Sequence, residues 1–164
     1  MRYFQQLIIG CISLFTLVGC ERTTFRSTVP YAPVHVEINT KTVFTDFLPE
    51  NLNAYIVVNE EGYKENGVFK LPVTYQDAWG YGGIVTYVSM AGYVAYDLTC
   101  PYCYARGVKS ACKMHGIYAV CPECGEEYEL GSGMAIPSKG LSHETLRPMN
   151  VDSRGDKIII TQRP

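Results

Sequence analysis

The stretch Ile84-Val85-Thr86-Tyr87-Val88, then Tyr93-Val94-Ala95-Tyr96, then Cys100-Pro101-Tyr102-Cys103 decides how this chain is read. Val, Ile, Thr and Tyr fit a pleated, half-buried surface, so the first two runs read as strands. They lead into a C-x-x-C arm, and a second arm, Cys121-Pro122-Glu123-Cys124, follows after 17 residues. Two such arms can bring four thiolates to one point, and converging thiolates point to a metal. Proline follows the first cysteine of each arm, and Gly125 follows the second arm. These residues favour tight turns whose backbone N–H groups face sulfur and stabilise its charge.

Outward from this centre the chain continues in short strands. Val34 to Ile38 alternates apolar and polar residues, and Ala54 to Val58 is a β-branched run. Further strands are expected at Ile117 to Val120, Glu127 to Leu130, Leu146 to Val151 and Lys157 to Thr161. Turn signals separate them, among them Glu60-Glu61-Gly62, Glu65-Asn66-Gly67, Gly80-Tyr81-Gly82-Gly83 and Ser153-Arg154-Gly155-Asp156. That cadence predicts an all-β antiparallel sandwich or barrel over 34–164. No amphipathic helix is expected, and at most one short turn at Asp46 to Asn53. The 13 tyrosines are read as sheet residues.

The N-terminus carries a different message. Arg2 precedes a mostly apolar run from Leu7 to Val18, too short to span a bilayer, which needs about 20 residues. The run ends in Leu17-Val18-Gly19-Cys20, which resembles the lipobox of bacterial lipoproteins. The resemblance implies that 1–19 is a signal peptide and that Cys20 becomes the acylated first residue. Acyl chains then anchor the protein to the cell envelope. Glu21 in place of Asp lacks the inner-membrane retention signal and favours an outer-membrane address. Residues 20–33, rich in Thr, Ser and Arg, read as a lipidated tether. Loss of Arg2 takes the formal net charge from −2 to −3. Lys and Arg form no basic stripe, so nucleic acid is not an expected partner.

The stretch from Gly83 to Ile160 resembles a Rieske-type domain, a small antiparallel β-sandwich with two metal-binding loops at its tip. Gly83 to Tyr87 and Tyr93 to Asp97 match the strands before the first loop. Cys100 matches its cysteine, Cys121 the cysteine of the second loop, and Cys124-Gly125 takes the place of His-Gly. The resemblance implies that the Tyr128 hydroxyl reaches a cysteine sulfur and that Ile136-Pro137-Ser138 helps cover the site. The chain departs from the family in its ligands. Cys103 stands one position beyond the first expected histidine, and Cys124 replaces the second. Rieske centres need two histidines on one iron. Glu126 stands where a serine often bonds a cluster sulfide, and a carboxylate facing four thiolates is unfavourable unless it turns to solvent. The expected tip is therefore zinc-ribbon or rubredoxin-like, spanning about 98–130.

Four cysteines, Cys100, Cys103, Cys121 and Cys124, suit a closed tetrahedral Zn²⁺ site, and zinc leads because the arms are symmetric. The same ligands suit a mononuclear iron or a [2Fe–2S] cluster, and an oxidising compartment allows disulfides instead. Cys112 is expected as a buried small residue between the arms, with replacement of one ligand as the alternative. His35, His115 and His143 read as solvated, with ligation by His115 and a place beside the site for His143 as the minor alternatives. Glu126 and Glu127 read as solvated acids as well. A thioredoxin-like role is disfavoured because Cys103 to Gly107 is not read as a helix start and no βαβ unit surrounds it. A hydrolase is disfavoured because no nucleophile motif is present. The expected role is a non-enzymatic binding or structural lipoprotein, its partner an envelope protein. The alternative is electron transfer to a redox partner.

Overall fold

The computed structural model describes residues 27–163. The leader and Cys20 lie outside the described residues. Fourteen strands follow in chain order among them. The first seven are β1 (Val34–Asn39), β2 (Tyr55–Asn59), β3 (Gly62–Glu65), β4 (Val68–Leu71), β5 (Ala78–Trp79), β6 (Ile84–Ser89) and β7 (Gly92–Asp97). After a one-turn helix, α1 (Pro101–Ala105), come β8 (Lys113–His115), β9 (Tyr118–Val120), β10 (Glu127–Glu129) and β11 (Ile136–Lys139). The chain closes with β12 (Arg147–Pro148), β13 (Asn150–Arg154) and β14 (Lys157–Thr161). The fold is all-β, and every strand pairing is antiparallel.

Three sheets form, in the orders β13-β14-β1-β5, β12-β7-β6-β2-β3-β4 and β11-β10-β9-β8. The reason lies in β6, whose six residues are all buried. Successive side chains of a strand point to opposite faces, so a strand with no exposed residue must be covered on both. Ile84 and Val88 join a core with Val36, Ile38, Ile56, Val58, Ile158 and Ile160. Val85 and Tyr87 face the other way, into a second core with Leu98, Ala119, Tyr128, Leu130 and Leu146. The second core also contains Cys100, Cys103, Cys112 and Cys121. The six-stranded sheet is thus the middle layer, and the cysteines sit at one end of its second face.

Two local differences from the sequence reading matter. The turn signals around Gly62 and Asn66 are hairpin tips, and the four residues Gly62–Glu65 that join them form β3. Asn66 and Gly67 both have positive φ, 48° and 84°, as a two-residue hairpin turn requires. Residues 27–33, expected as part of a tether, lie against the body. Val29 is fully buried, and Arg147 donates to the carbonyl oxygens of Ser27 and Val29.

Candidate metal centre

The β6–β7 hairpin delivers the first arm. Its register runs from Ser89↔Gly92 to Ile84↔Asp97, so the strand end points Leu98 and Thr99 toward Cys100. Asp97 fixes that exit. Its buried carboxylate accepts from Tyr81 N at 2.7 Å, Gly82 N at 3.1 Å, Thr99 N at 2.8 Å and Thr99 Oγ1 at 2.6 Å. Four donors balance the desolvation of the charge, which burial without partners would not allow.

The first arm is helical, against the expectation from sequence. Pro101 occupies the first helical position, where its missing N–H has no role and its fixed φ suits the turn. The turn ends in a Schellman motif: Val108 N donates to Cys103 O at 2.9 Å and Gly107 N to Tyr104 O at 2.9 Å. Cys100 is the N-cap residue and Cys103 lies one turn on, so both sulfurs share a side. The second arm is a non-helical turn between β9 and β10, closed by Gly125 N on Cys121 O at 3.0 Å and Cys121 N on Glu126 O at 2.9 Å. Gly125 takes φ 73°, a conformation that glycine adopts without strain.

The four sulfurs of Cys100, Cys103, Cys121 and Cys124 all lie within 4.8 Å of one another. Across the arms, Cys100 Sγ is 3.6 Å from Cys124 Sγ, and Cys103 Sγ is 3.6 Å from Cys121 Sγ. A metal–sulfur bond of about 2.3 Å implies a tetrahedral edge of about 3.8 Å, so the set fits one ion. All five cysteines of the described residues are free, and 3.6 Å is far beyond a disulfide bond of about 2.05 Å. Three ligands are buried and Cys124 is half-buried.

The surroundings favour charge on two of the sulfurs. The Cys121 thiol is pulled down to about 3, first by a hydrogen bond from Cys112, then by Ser110 and the Cys124 and Glu123 N–H groups, all against burial. Cys100 falls to about 6, again first by Cys112, then against burial by Cys103 N–H and the Tyr128 hydroxyl. Burial leads in pushing Cys124 up to about 11 and Cys103 upward as well. The N–H groups and hydroxyls beside Cys100 and Cys121 favour their charged forms, and a cation among the four sulfurs would favour charge on all of them. Cys112 is 3 % exposed, and its thiol is pushed upward by its interaction with Cys100 and Cys121 and by burial.

Tyr128 is fully buried with its hydroxyl 3.6 Å from Cys100 Sγ. Ser110 Oγ, 3.3 Å from Cys121 Sγ, is a contact that the sequence did not signal, since nothing in the loop between the arms marks its fold. Glu126 corrects the sequence reading: it does not turn to solvent. It is 2 % exposed and accepts from Leu141 N and from Ser142 N at 2.9 Å, so its charge is met by the covering loop. Of the histidines, His35, His115 and His143 are exposed, and none belongs to the sulfur group.

These features define an all-β protein with a four-cysteine centre able to hold a metal ion at one end. Comparison with family models, with curated proteins and with solved structures returns no match.

Proposed function

We propose that this chain is a lipid-anchored protein of the bacterial cell envelope, built on a Rieske-like β body, whose four cysteines hold one structural Zn²⁺. The observation that carries this reading is the mutual approach of the four sulfurs to within 4.8 Å, with cross-arm pairs at 3.6 Å. One tetrahedral ion matches those spacings. A [2Fe–2S] cluster places two irons between its ligand pairs, so the pairs would have to move apart. With four protein ligands the ion has no open position, and its contribution is to fold and pin the two arms. The role is binding or structural rather than catalytic, and the lipobox-like Leu17-Val18-Gly19-Cys20 supports the anchor, with the outer membrane favoured.

A second reading, electron transfer through a mononuclear iron, has its own support. Cys124 is the ligand nearest solvent, and Tyr128 and Ser110 place hydroxyls beside Cys100 and Cys121. Hydrogen bonds to sulfur and exposure are the levers that set an iron–thiolate potential. Elemental analysis and the visible spectrum of protein purified from its native envelope separate the two. One zinc per chain and no colour support the structural site. Stoichiometric iron with absorption that bleaches on reduction supports the second reading, and no metal at all overturns both.

A further inference from the structure

The segment that leads from the anchor ends beside the metal arm. Thr28 Oγ1 lies 3.4 Å from Pro101 O, next to the Cys100 ligand. Thr28 N donates to Glu144 Oε2 at 2.7 Å, Arg147 Nη2 holds Ser27 O at 3.0 Å, and Val29 is fully buried. The leash available to the body is therefore only Cys20 to Ser27. Fully extended, those seven steps reach about 25 Å. A body of this size has a radius of gyration of about 14 Å and is about 35 Å across. The leash is shorter than the body, so the end from which it leaves cannot be turned away from the bilayer.

The surface beside that exit has the composition of a membrane interface. Arg106 stacks over Tyr102 at 5.2 Å and donates to its hydroxyl at 3.0 Å. Lys109 sits 4.7 Å over the Tyr81 ring, and Val108 between them is 45 % exposed. Neither Arg106 nor Lys109 has a carboxylate partner among the described residues. Cations with apolar stems, aromatic rings and an exposed valine suit the headgroup layer.

We infer that the four-cysteine tip rides at the headgroup layer of the membrane that carries Cys20, with Tyr102, Arg106, Val108 and Lys109 laid against anionic lipid. This rests on the lipid anchor proposed above.

The test uses the full, acylated chain in vesicles of phosphatidylethanolamine and phosphatidylglycerol with brominated acyl chains. Trp79, the single tryptophan, is replaced by phenylalanine, and one reporter is added, either Val108→Trp or Arg154→Trp. Arg154 lies on the hairpin paired with Asn39's end of β1, about 17 Å along that strand from Val34. The expected result is loss of about half the Val108→Trp emission with little change at Arg154→Trp, since interfacial faces sit about 5–10 Å deep. Replacing phosphatidylglycerol by phosphatidylcholine, or adding Arg106→Glu and Lys109→Glu, should restore most of that emission. In the unmodified protein, hydrogen exchange at 102–109 should slow on anionic relative to neutral vesicles, which guards against a misfolded reporter. Protein that floats with the vesicles but shows no selective quenching and no such slowing overturns the inference and leaves the anchor standing. Protein that fails to float removes the anchor, and the inference with it. Quenching equal in neutral vesicles overturns the assignment to anionic lipid.

Discussion

The carboxylate of Glu126 fills the space that a side chain at Gly140 would need. A Cβ built on Gly140 falls 2.2 Å from the Glu126 carboxyl carbon, and Gly140 takes φ 117°. Glycine at 140 is what lets the covering loop lay the Leu141 and Ser142 N–H groups on a buried charge beside the thiolates.

Gly140→Ala should therefore destabilise the protein by about 2–3 kcal/mol, through the clash and the strained backbone together. Glu126→Ala should cost about 1–2 kcal/mol by removing the acceptor of two part-buried N–H groups and a buried side chain. In the double variant the steric part disappears, so the two losses should not add. Denaturant unfolding of the four proteins measures the coupling.

Cys112 and Cys121 are both buried, yet they should respond differently to substitution. Cys112→Ala removes a small buried side chain packed with Cys100 and Cys121. The expected loss is about 1 kcal/mol with one metal per chain retained. Cys121→Ser removes a ligand and should abolish stoichiometric metal. Metal content of the two variants by elemental analysis decides it, and retention in Cys121→Ser with loss in Cys112→Ala would reassign the ligand set.

If the proposed ion joins the two arms, chelation should loosen 98–130 before the rest. Hydrogen exchange measured by segment, with and without a chelator, reads this directly. Uniform exchange across the chain would end the structural role.

Asp97→Ala should be among the most damaging single changes outside the cysteines, costing about 3 kcal/mol or more. It strands the N–H groups of Tyr81, Gly82 and Thr99 in a buried site. The predicted sign of local failure is weakened metal binding, since these bonds hold the exit toward Cys100. Thermal unfolding together with a zinc competition titration checks both parts.

Alkali should unfold the protein through its buried tyrosines. Tyr87 and Tyr96 are pushed up to about 12 from 10, mainly by burial and then by the charge of Glu129. Tyr63 and Tyr128 move upward as well, again mainly by burial. A raised folded value means that the native state holds its protons after the unfolded chain has lost them. The stability is complete below about pH 10 and is lost progressively toward pH 12. Tyrosinate absorbance and far-ultraviolet circular dichroism should change together in that window.

Some elements were legible because their signal is local. The run Lys157 to Thr161 forms β14 with those bounds, and Ile84 to Val88 falls within β6, because β-branched residues state their preference without help. The four clustered cysteines were legible for a similar reason: C-x-x-C spacing is a property of a single turn. β3 was hidden because its first and last residues, Gly62 and Glu65, belong to turn signals, and its residues show no alternation, three of the four being buried. The helical first arm was hidden too. Its five residues include two tyrosines and a proline, and the turn is closed by Gly107 and Val108 rather than by propensity. Ser110 and Glu126 could not be assigned from sequence, since each meets a partner brought close only by the packing of the sheets; Cys112 is buried, as its sequence suggested.

The sequence by itself determined a β-rich body, a four-cysteine cluster and a lipobox-like start, all written in runs of a few neighbouring residues. Only the tertiary structure decided that both faces of β6 are covered, that a fifth cysteine is buried with the four, and that residues 27–29 pack beside the first cysteine arm. Those relations join residues up to 120 positions apart, as Arg147 and Ser27 are, and such pairs are set by packing rather than by local preference.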